Sequence, residues 1–173
     1  MATIGLVSLE SARAQGNLVI NGTFDAGMDG WTVTGSAYIW EPAKGNPGGC
    51  VNLFGNLINP ASISQDINGL IIGDVYTVSG DYLGGYTSFG VFVDGESQYY
   101  TGSVYDWQTF SFNFTATSPT TTLILSYPNL GTGGYRIDNI SIVAIPEPSS
   151  SCLLGLGVAG GLLFQRRKKG LQI

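Results

Sequence analysis

The sequence contains no histidine and only two cysteines, Cys50 and Cys152, among its 173 residues. It therefore lacks the commonest general base and the commonest transition-metal ligand, and no Ser–His or Cys–His pair can form. Carboxylate pairs of the glycosidase kind remain available, but none stands in a recognisable motif, so we predict that the protein is not an enzyme. Cys152 lies in a terminal apolar run, so we predict that Cys50 is a small buried or free thiol.

Cations are scarce as well, and four of the seven stand together at Arg166–Lys169. Residues 17–145 hold only Lys44 and Arg136 against ten carboxylates, a net charge of −8. A body this acidic repels nucleic-acid phosphates, so we predict no nucleic-acid partner. It is compatible with a divalent cation.

The C-terminal part has no charged residue from Ser149 to Phe164 and is apolar or glycine from Cys152 onward. As a helix this stretch would span about 24 Å, against about 30 Å for a hydrocarbon core. The cations that follow directly, Arg166, Arg167, Lys168 and Lys169, mark the cytoplasmic side and can snorkel. We predict a short transmembrane helix; a buried helix or a soluble amphipathic tail is the alternative, but the run has no polar face.

The order of three elements carries a resemblance. Pro146-Glu147-Pro148, a short apolar helix and an Arg-rich tail resemble the PEP-CTERM sorting signal of Gram-negative bacteria over residues 146–173. The resemblance implies export, a precursor anchored in the inner membrane, and processing by an exosortase. The protein would then reach the cell surface or the extracellular matrix. Two prolines hold the motif in the extended form that a processing enzyme can bind.

The N-terminal segment, residues 1–14, has an apolar run at Ala2–Leu9 and an A-x-A site at Ala12-Arg13-Ala14. It lacks the basic start of a signal peptide. We interpret it as a truncated signal peptide; a disordered leader is the alternative.

Residues 17–145 show short β-branched and aromatic runs between Gly, Asn, Asp and Pro, and no convincing amphipathic helix. Phe110, Phe112 and Phe114 alternate with polar residues, which predicts one packed and one wet face. We predict an all-β jelly-roll sandwich. The candidate strands are Leu18–Asn21, Trp31–Thr34, Ala37–Trp40, Cys50–Phe54, Ala61–Ile67, Val75–Tyr82, Phe89–Val93, Gln98–Thr101, Trp107–Thr115, Thr121–Tyr127 and Tyr135–Ile145.

Three segments of this body resemble jelly-roll, galactose-binding-like carbohydrate-binding modules of the cellulose- and xylan-binding kind. They are the opening Asn17–Gly27 with Gly30-Trp31, the stretch from Ser62–Ile67 to Gly73–Ser79, and the closing Tyr135–Ile142. The resemblance implies the fold and, less specifically, glycan binding, because one sandwich hosts many ligands.

The same resemblance implies a structural calcium that joins the opening segment to the last strand, with Asp25 and Asp138 at the carboxylate positions. Oxygen ligands suit calcium. By parity Asp138 shares the face of Ile140, Ile142 and Ala144, and an inward carboxylate is costly unless it is paired or bound to metal. The alternatives are a turn residue that bonds its own backbone for Asp25, and for Asp138 a buried acid that is hydrogen-bonded to the backbone or paired with Arg136 or another cation.

Sugar rings stack on exposed aromatic faces, and Trp40, Tyr86 and Tyr99 lie in or beside turn-rich stretches. We take these three as candidate glycan-binding residues, although aromatics of a sandwich also fill its core. The sequence thus predicts an exported surface protein that associates with extracellular polysaccharide. The alternative is a structural or adhesive protein of the envelope or biofilm that binds no sugar.

Overall fold

The computed structural model describes residues 15–35, 38–54, 60–85, 88–103, 105–127 and 133–146. The chain divides into two units, Gln15–Ile145 and a second one made of Met1–Ala14 with Pro146–Ile173. Of the second unit only Pro146, which is exposed, is described. Within the described ranges no helix is long and apolar enough to cross a bilayer. The predicted membrane helix lies outside these ranges, as do Glu147, Pro148 and Arg166–Lys169.

The first unit is a sandwich of two five-stranded antiparallel sheets, which confirms the predicted all-β jelly roll. The first sheet has the order β1-β4-β9-β6-β7, and the second has the order β2-β3-β10-β5-β8. The strands are β1 Thr32–Thr34, β2 Tyr38–Glu41, β3 Cys50–Phe54, β4 Ala61–Asn68, β5 Val75–Leu83, β6 Ser88–Val93, β7 Glu96–Thr101, β8 Gln108–Thr115, β9 Thr120–Tyr127 and β10 Gly134–Ala144.

The core lies between the sheets and follows the predicted alternation. Phe110 and Phe114 are buried and Phe112 is half-buried, whereas the residues between them are exposed. Burying one such ring contributes roughly 1.5–3 kcal/mol. A cluster of rings with centroids 5.0–6.4 Å apart fills one part of the core: Tyr82, Phe89, Tyr100, Phe110 and Tyr135.

The last strand departs from simple alternation, and this corrects our parity argument for Asp138. Tyr135 and Ile137 face the core, and so do Ile140 and Ile142, because a bulge between Asp138 and Ser141 shifts the register. Asn139 takes a left-handed conformation there, with φ of 54°. Gly80 lies opposite the bulge, where a side chain would collide with Ile140 and Phe110. Asp138 therefore faces the outer side of the second sheet, opposite Asp81.

The predicted strand at Leu18–Asn21 is wrong, because none of these residues is in a strand and Ile20 and Asn21 form a turn. The Asn17 Oδ1 accepts hydrogen bonds from the backbone N–H of Val19 at 3.0 Å and of Ile142 at 2.9 Å. Asn21 is left-handed, with φ of 51°. Side-chain bonding of this kind satisfies the backbone locally and competes with a sheet ladder. The segment still follows β10, since the Leu18 N–H donates to the Ile142 carbonyl at 2.9 Å.

Candidate functional site

A cleft of about 260 Å³ opens on the outer face of the second sheet. Three of the residues that line it are neighbours on adjacent strands. Arg136 of β10 lies opposite Asn52 of β3 on one side and Leu83 of β5 on the other. The full lining is Asn52, Phe54, Leu83, Gly84, Gly133, Gly134 and Arg136. The cleft thus combines an amide, a guanidinium and two apolar side chains.

Glycines that line this cleft allow neighbouring segments of the backbone to approach closely. A side chain at Gly84 would collide with the carbonyl of Gly134, and one at Gly134 would stand 2.9 Å from the Asn52 Oδ1. Glycine at these positions lets the strands close up and lets a ligand approach the main chain. The polar main-chain groups can then contribute to binding.

Arg136 is held in place by an ion pair with Glu41 of β2. Its Nε donates to the Glu41 Oε2 at 2.6 Å and its Nη2 donates to Oε1 at 3.2 Å. The hydrogen bond from Arg136 lowers the pKa of Glu41 below its ordinary value, although burial opposes that shift. The pair uses two of the five guanidinium N–H groups. Because one-third of the arginine side chain is exposed, the others can bind an uncharged hydroxyl or carbonyl.

The 42–49 loop covers the other end of this face and brings Asp25 and Asp138 to the same segment. Asp138, which is fully buried, accepts hydrogen bonds from the backbone N–H of Asn46 at 2.6 Å and of Asn139 at 2.7 Å. Asp25 accepts one from the N–H of Gly49 at 3.0 Å. Burial raises the pKa of Asp138, against the two backbone hydrogen bonds, which lower it.

Asp81 is a third carboxylate at this site, and no sequence motif marked it. It accepts hydrogen bonds from Asn139 Nδ2 at 2.9 Å, from Asn46 Nδ2 at 3.2 Å and from Thr109 Oγ1 at 2.8 Å. Its charge also contributes to the raised pKa of Asp138. Its position opposite Asp138 depends on the strand register, which one sequence does not reveal.

Metal ligation at this place would rest on oxygen atoms. Around Gly45, a side chain would meet the Gly49 carbonyl and would stand 2.7 Å from the Asp138 Oδ2, so both oxygens lie close together. Two carboxylates with backbone carbonyls form a donor set of the type that calcium takes. Over the described part of the chain, however, no three Asp, Glu, Cys or His side chains converge as a metal-binding group.

Of the predicted glycan-binding aromatics, Trp40 and Tyr99 lie on different sheets, and neither lines the cleft. Trp40 is on the edge strand β2, 36% exposed, and its Nε1 donates to the Phe24 carbonyl at 2.7 Å. Tyr99 is 59% exposed on β7, at the edge of the first sheet, and its ring meets Phe92 edge-on at 5.7 Å. Tyr86 lies outside the described residues.

The sandwich has the same fold as solved structures of carbohydrate-binding modules. A family 61 module in complex with β-1,4-galactotriose (TmCBM61) superposes with a TM-score of 0.64 at 18% identity, over 76% of this chain and 99% of the module. A family 16 carbohydrate-binding module superposes with a TM-score of 0.60 at 23% identity, over 73% and 99% of the two chains. At these identities the likeness establishes the fold alone.

Two further matches concern the sequence. The chain carries a PEP-CTERM protein-sorting motif at residues 144–168. Exochitinase 1 of Streptomyces olivaceoviridis is 32% identical over 152 residues, which cover 80% of this chain. The chain spans only 24% of that exochitinase, so the match concerns one part of a much larger protein.

Proposed function

We propose that this is an exported protein whose sandwich binds polysaccharide and whose C-terminal motif passes it to an exosortase. The sorting motif at residues 144–168 supports export and processing. In this proposal the precursor is anchored in the inner membrane of a Gram-negative bacterium by its C-terminal helix, and the product reaches the cell surface or the extracellular matrix. Mass spectrometry of the mature C-terminus in the native host tests this part, because an uncut tail recovered from the cytosol would contradict it.

The observation that carries the binding proposal is the cleft between Asn52, Leu83 and Arg136. Sugar rings present both apolar faces and hydroxyl groups, and the cleft offers an apolar wall beside an amide and a guanidinium. Its volume of about 260 Å³ is below the roughly 300–1,000 Å³ of drug-sized ligand sites. It would therefore hold one unit or one end of a longer glycan.

Pull-down of the full chain in mild detergent with insoluble chitin and with β-1,4-galactan tests the binding proposal. These probes follow from the names of the similar exochitinase and of the galactotriose-bound module. Arg136→Gln should weaken binding about tenfold or more, because hydrogen bonds to charged groups contribute about 1.5–3 kcal/mol. Lys44→Gln is the matched control, since it removes the other cation of the domain from an exposed loop position.

If no polysaccharide binds the wild-type protein, the proposal fails in favour of a structural or adhesive role. If Arg136→Gln and Lys44→Gln bind equally well, glycan binding is retained but the cleft is not its site. Trp40, Tyr86 and Tyr99 are then the proposed stacking positions, and single alanine variants identify which one binds. Loss of binding in Tyr99→Ala alone would place the glycan on the first sheet.

We also propose a structural calcium held by Asp25 and Asp138 with nearby carbonyl oxygens. The two side chains already bind the same 42–49 loop through Gly49 and Asn46, which supports a shared ion. A bound cation would offset the cost of burying Asp138 and would fix the 42–49 loop. It would have no catalytic part.

A further inference from the structure

One end of the sandwich exposes four aliphatic side chains that the core does not use. They are Ile71 and Ile72, 58% and 64% exposed, and Val75 and Ile145, 38% and 39% exposed. We call them the isoleucine patch. Val75 and Ile145 adjoin through the backbone, since the Ile145 N–H donates to the Val75 carbonyl at 2.8 Å. Ile71 and Ile72 lie in the turn that leads into β5 at Val75.

Ile71 and Ile72 stand at the tip of a well-fixed turn. The Asp74 N–H donates to the Ile71 carbonyl at 3.1 Å, and the Gly73 N–H donates to the Ala116 carbonyl at 2.9 Å. The Ile71 N–H itself donates to the hydroxyl of the buried Tyr76 at 2.9 Å. Turn tips ordinarily carry Gly, Pro, Asn, Asp or Ser, so two isoleucines held in water here are unexpected for a surface that meets only solvent.

Both ends of the domain leave it beside this patch. Gln15 is attached there, because its Nε2 donates to the Gly69 carbonyl at 2.9 Å and its Oε1 accepts from Tyr76 at 3.2 Å. At the other terminus β10 ends at Ala144, and the sorting motif already begins at that residue. Gln15, where the described domain begins, and Ala144, where the sorting motif begins, therefore lie at the same end of the sandwich.

The tether to the apolar C-terminal run is short. Seven residue steps separate Ile145 from Cys152, and they reach at most about 25 Å when fully extended. If the run from Cys152 to Phe164 is inserted in a bilayer, Ile145 cannot lie further than this from its hydrocarbon edge. The headgroup layer lies within this distance of the hydrocarbon edge. Apolar side chains at a membrane surface insert by about 5–10 Å into this layer.

We infer that the isoleucine patch rests on the bilayer that holds the protein's own C-terminal segment. This inference depends on the proposed membrane anchoring. The partner is a lipid interface without net charge, because the described residues at this end carry the carboxylates Asp74, Asp94 and Glu96 and no cation. Asp94 is bonded to Thr117. Anionic lipids would be repelled. The patch and the cleft lie at opposite ends of β5, at Val75 and Leu83, so contact with the membrane leaves the cleft open to polysaccharide.

Spin labelling of the full chain in phosphatidylcholine vesicles tests the contact. The labelled variant is Ile72→Cys, and the control is Tyr105→Cys, which is 87% exposed beyond the start of β8 at the far end of the sandwich. Both carry Cys152→Ser. Cys50 does not compete for label, since it is fully buried and burial raises the pKa of its thiol to about 12. Vesicle flotation first shows whether the chain is anchored.

Contact with the membrane raises the ratio of oxygen to nickel-chelate collision rates several-fold at residue 72 and leaves residue 105 as accessible as in detergent. Ile71→Ser in the labelled variant should reduce that rise. Failure to float overturns the proposed anchoring. Flotation with equal ratios at the two positions overturns the patch contact alone. Spin–spin broadening at residue 72 that disappears when the protein is diluted in lipid would instead indicate that a second copy covers the patch.

Discussion

The Asp138 carboxylate accepts a hydrogen bond from the backbone N–H of Asn46 at 2.6 Å, across 92 residues of sequence. Its other oxygen accepts from the N–H of Asn139, the left-handed residue of the bulge, at 2.7 Å. One buried side chain thereby fixes the bulge in β10 and the loop that covers it. Because both oxygens accept from main-chain donors, an amide cannot replace the carboxylate without a mismatch.

We predict that Asp138→Asn lowers the free energy of unfolding by roughly 1–3 kcal/mol, because one main-chain N–H would face an amide N–H₂ and stay unsatisfied. Urea unfolding measures this loss. Amide hydrogen exchange at Asn46 should accelerate in the variant. Asp66→Asn is the control, because Asp66 is an exposed acid whose carboxylate accepts from the Thr122 hydroxyl at 2.8 Å. Equal stability of the two variants would contradict the assigned role.

In EDTA, with no calcium at Asp138, the pH dependence of stability should also differ between Asp138→Asn and the wild type. The pKa of Asp138 is raised above its ordinary 3.8, mainly by burial, so the native state binds more protons than the unfolded state between those two values. The free energy of unfolding therefore decreases as pH rises through that window. The variant should lose this decrease. The variant should still show the effect of Glu41, which has the opposite sign. Because the pKa of Glu41 is lowered in the native state, the free energy of unfolding decreases as pH falls through its titration.

Local alternation predicted much of the fold but could not reveal where a strand changes its phase. Phe89, Val91 and Val93 are buried as the pattern indicates, and Asp94-Gly95 forms the expected hairpin turn. The bulge at Asn139 could be predicted only if the partner strand were known, because the residue that permits it is Gly80 on that strand. Arg136 and Glu41, which are 95 residues apart, are brought together only by the order of β2, β3 and β10.

Cys50 should be chemically inert in the folded protein. Burial, helped by the Glu41 charge, raises the pKa of its thiol to about 12, so almost no thiolate is present at pH 8. We predict that N-ethylmaleimide leaves Cys50 unmodified at pH 8 and modifies it fully in urea. Peptide mass spectrometry distinguishes this residue from Cys152. Rapid modification without denaturant would show that the 42–49 loop opens readily.

Binding should favour uncharged over acidic polysaccharides. The domain carries ten carboxylates and two cations, and Arg136 is already paired with Glu41. An anionic chain would therefore approach a negative surface, and the repulsion is strongest at low ionic strength. We expect little retention of alginate or polygalacturonate at 10 mM salt and a modest gain at 150 mM. Tight binding of an acidic glycan that weakens with salt would contradict this.

Removing calcium should lower the melting temperature if Asp25 and Asp138 hold the ion. A ligand at a hundred times its Kd stabilises the native state by about 2.7 kcal/mol, which corresponds to several degrees for a domain of this size. Differential scanning calorimetry of the full chain with calcium and with EDTA measures the difference. Asp25→Asn should remove most of the difference, whereas Asp29→Asn, an exposed acid of the same segment, should retain it. An unchanged melting temperature in EDTA would contradict the calcium proposal. Asp25 and Asp138 would then stabilise the loop only through their hydrogen bonds to Gly49 and Asn46.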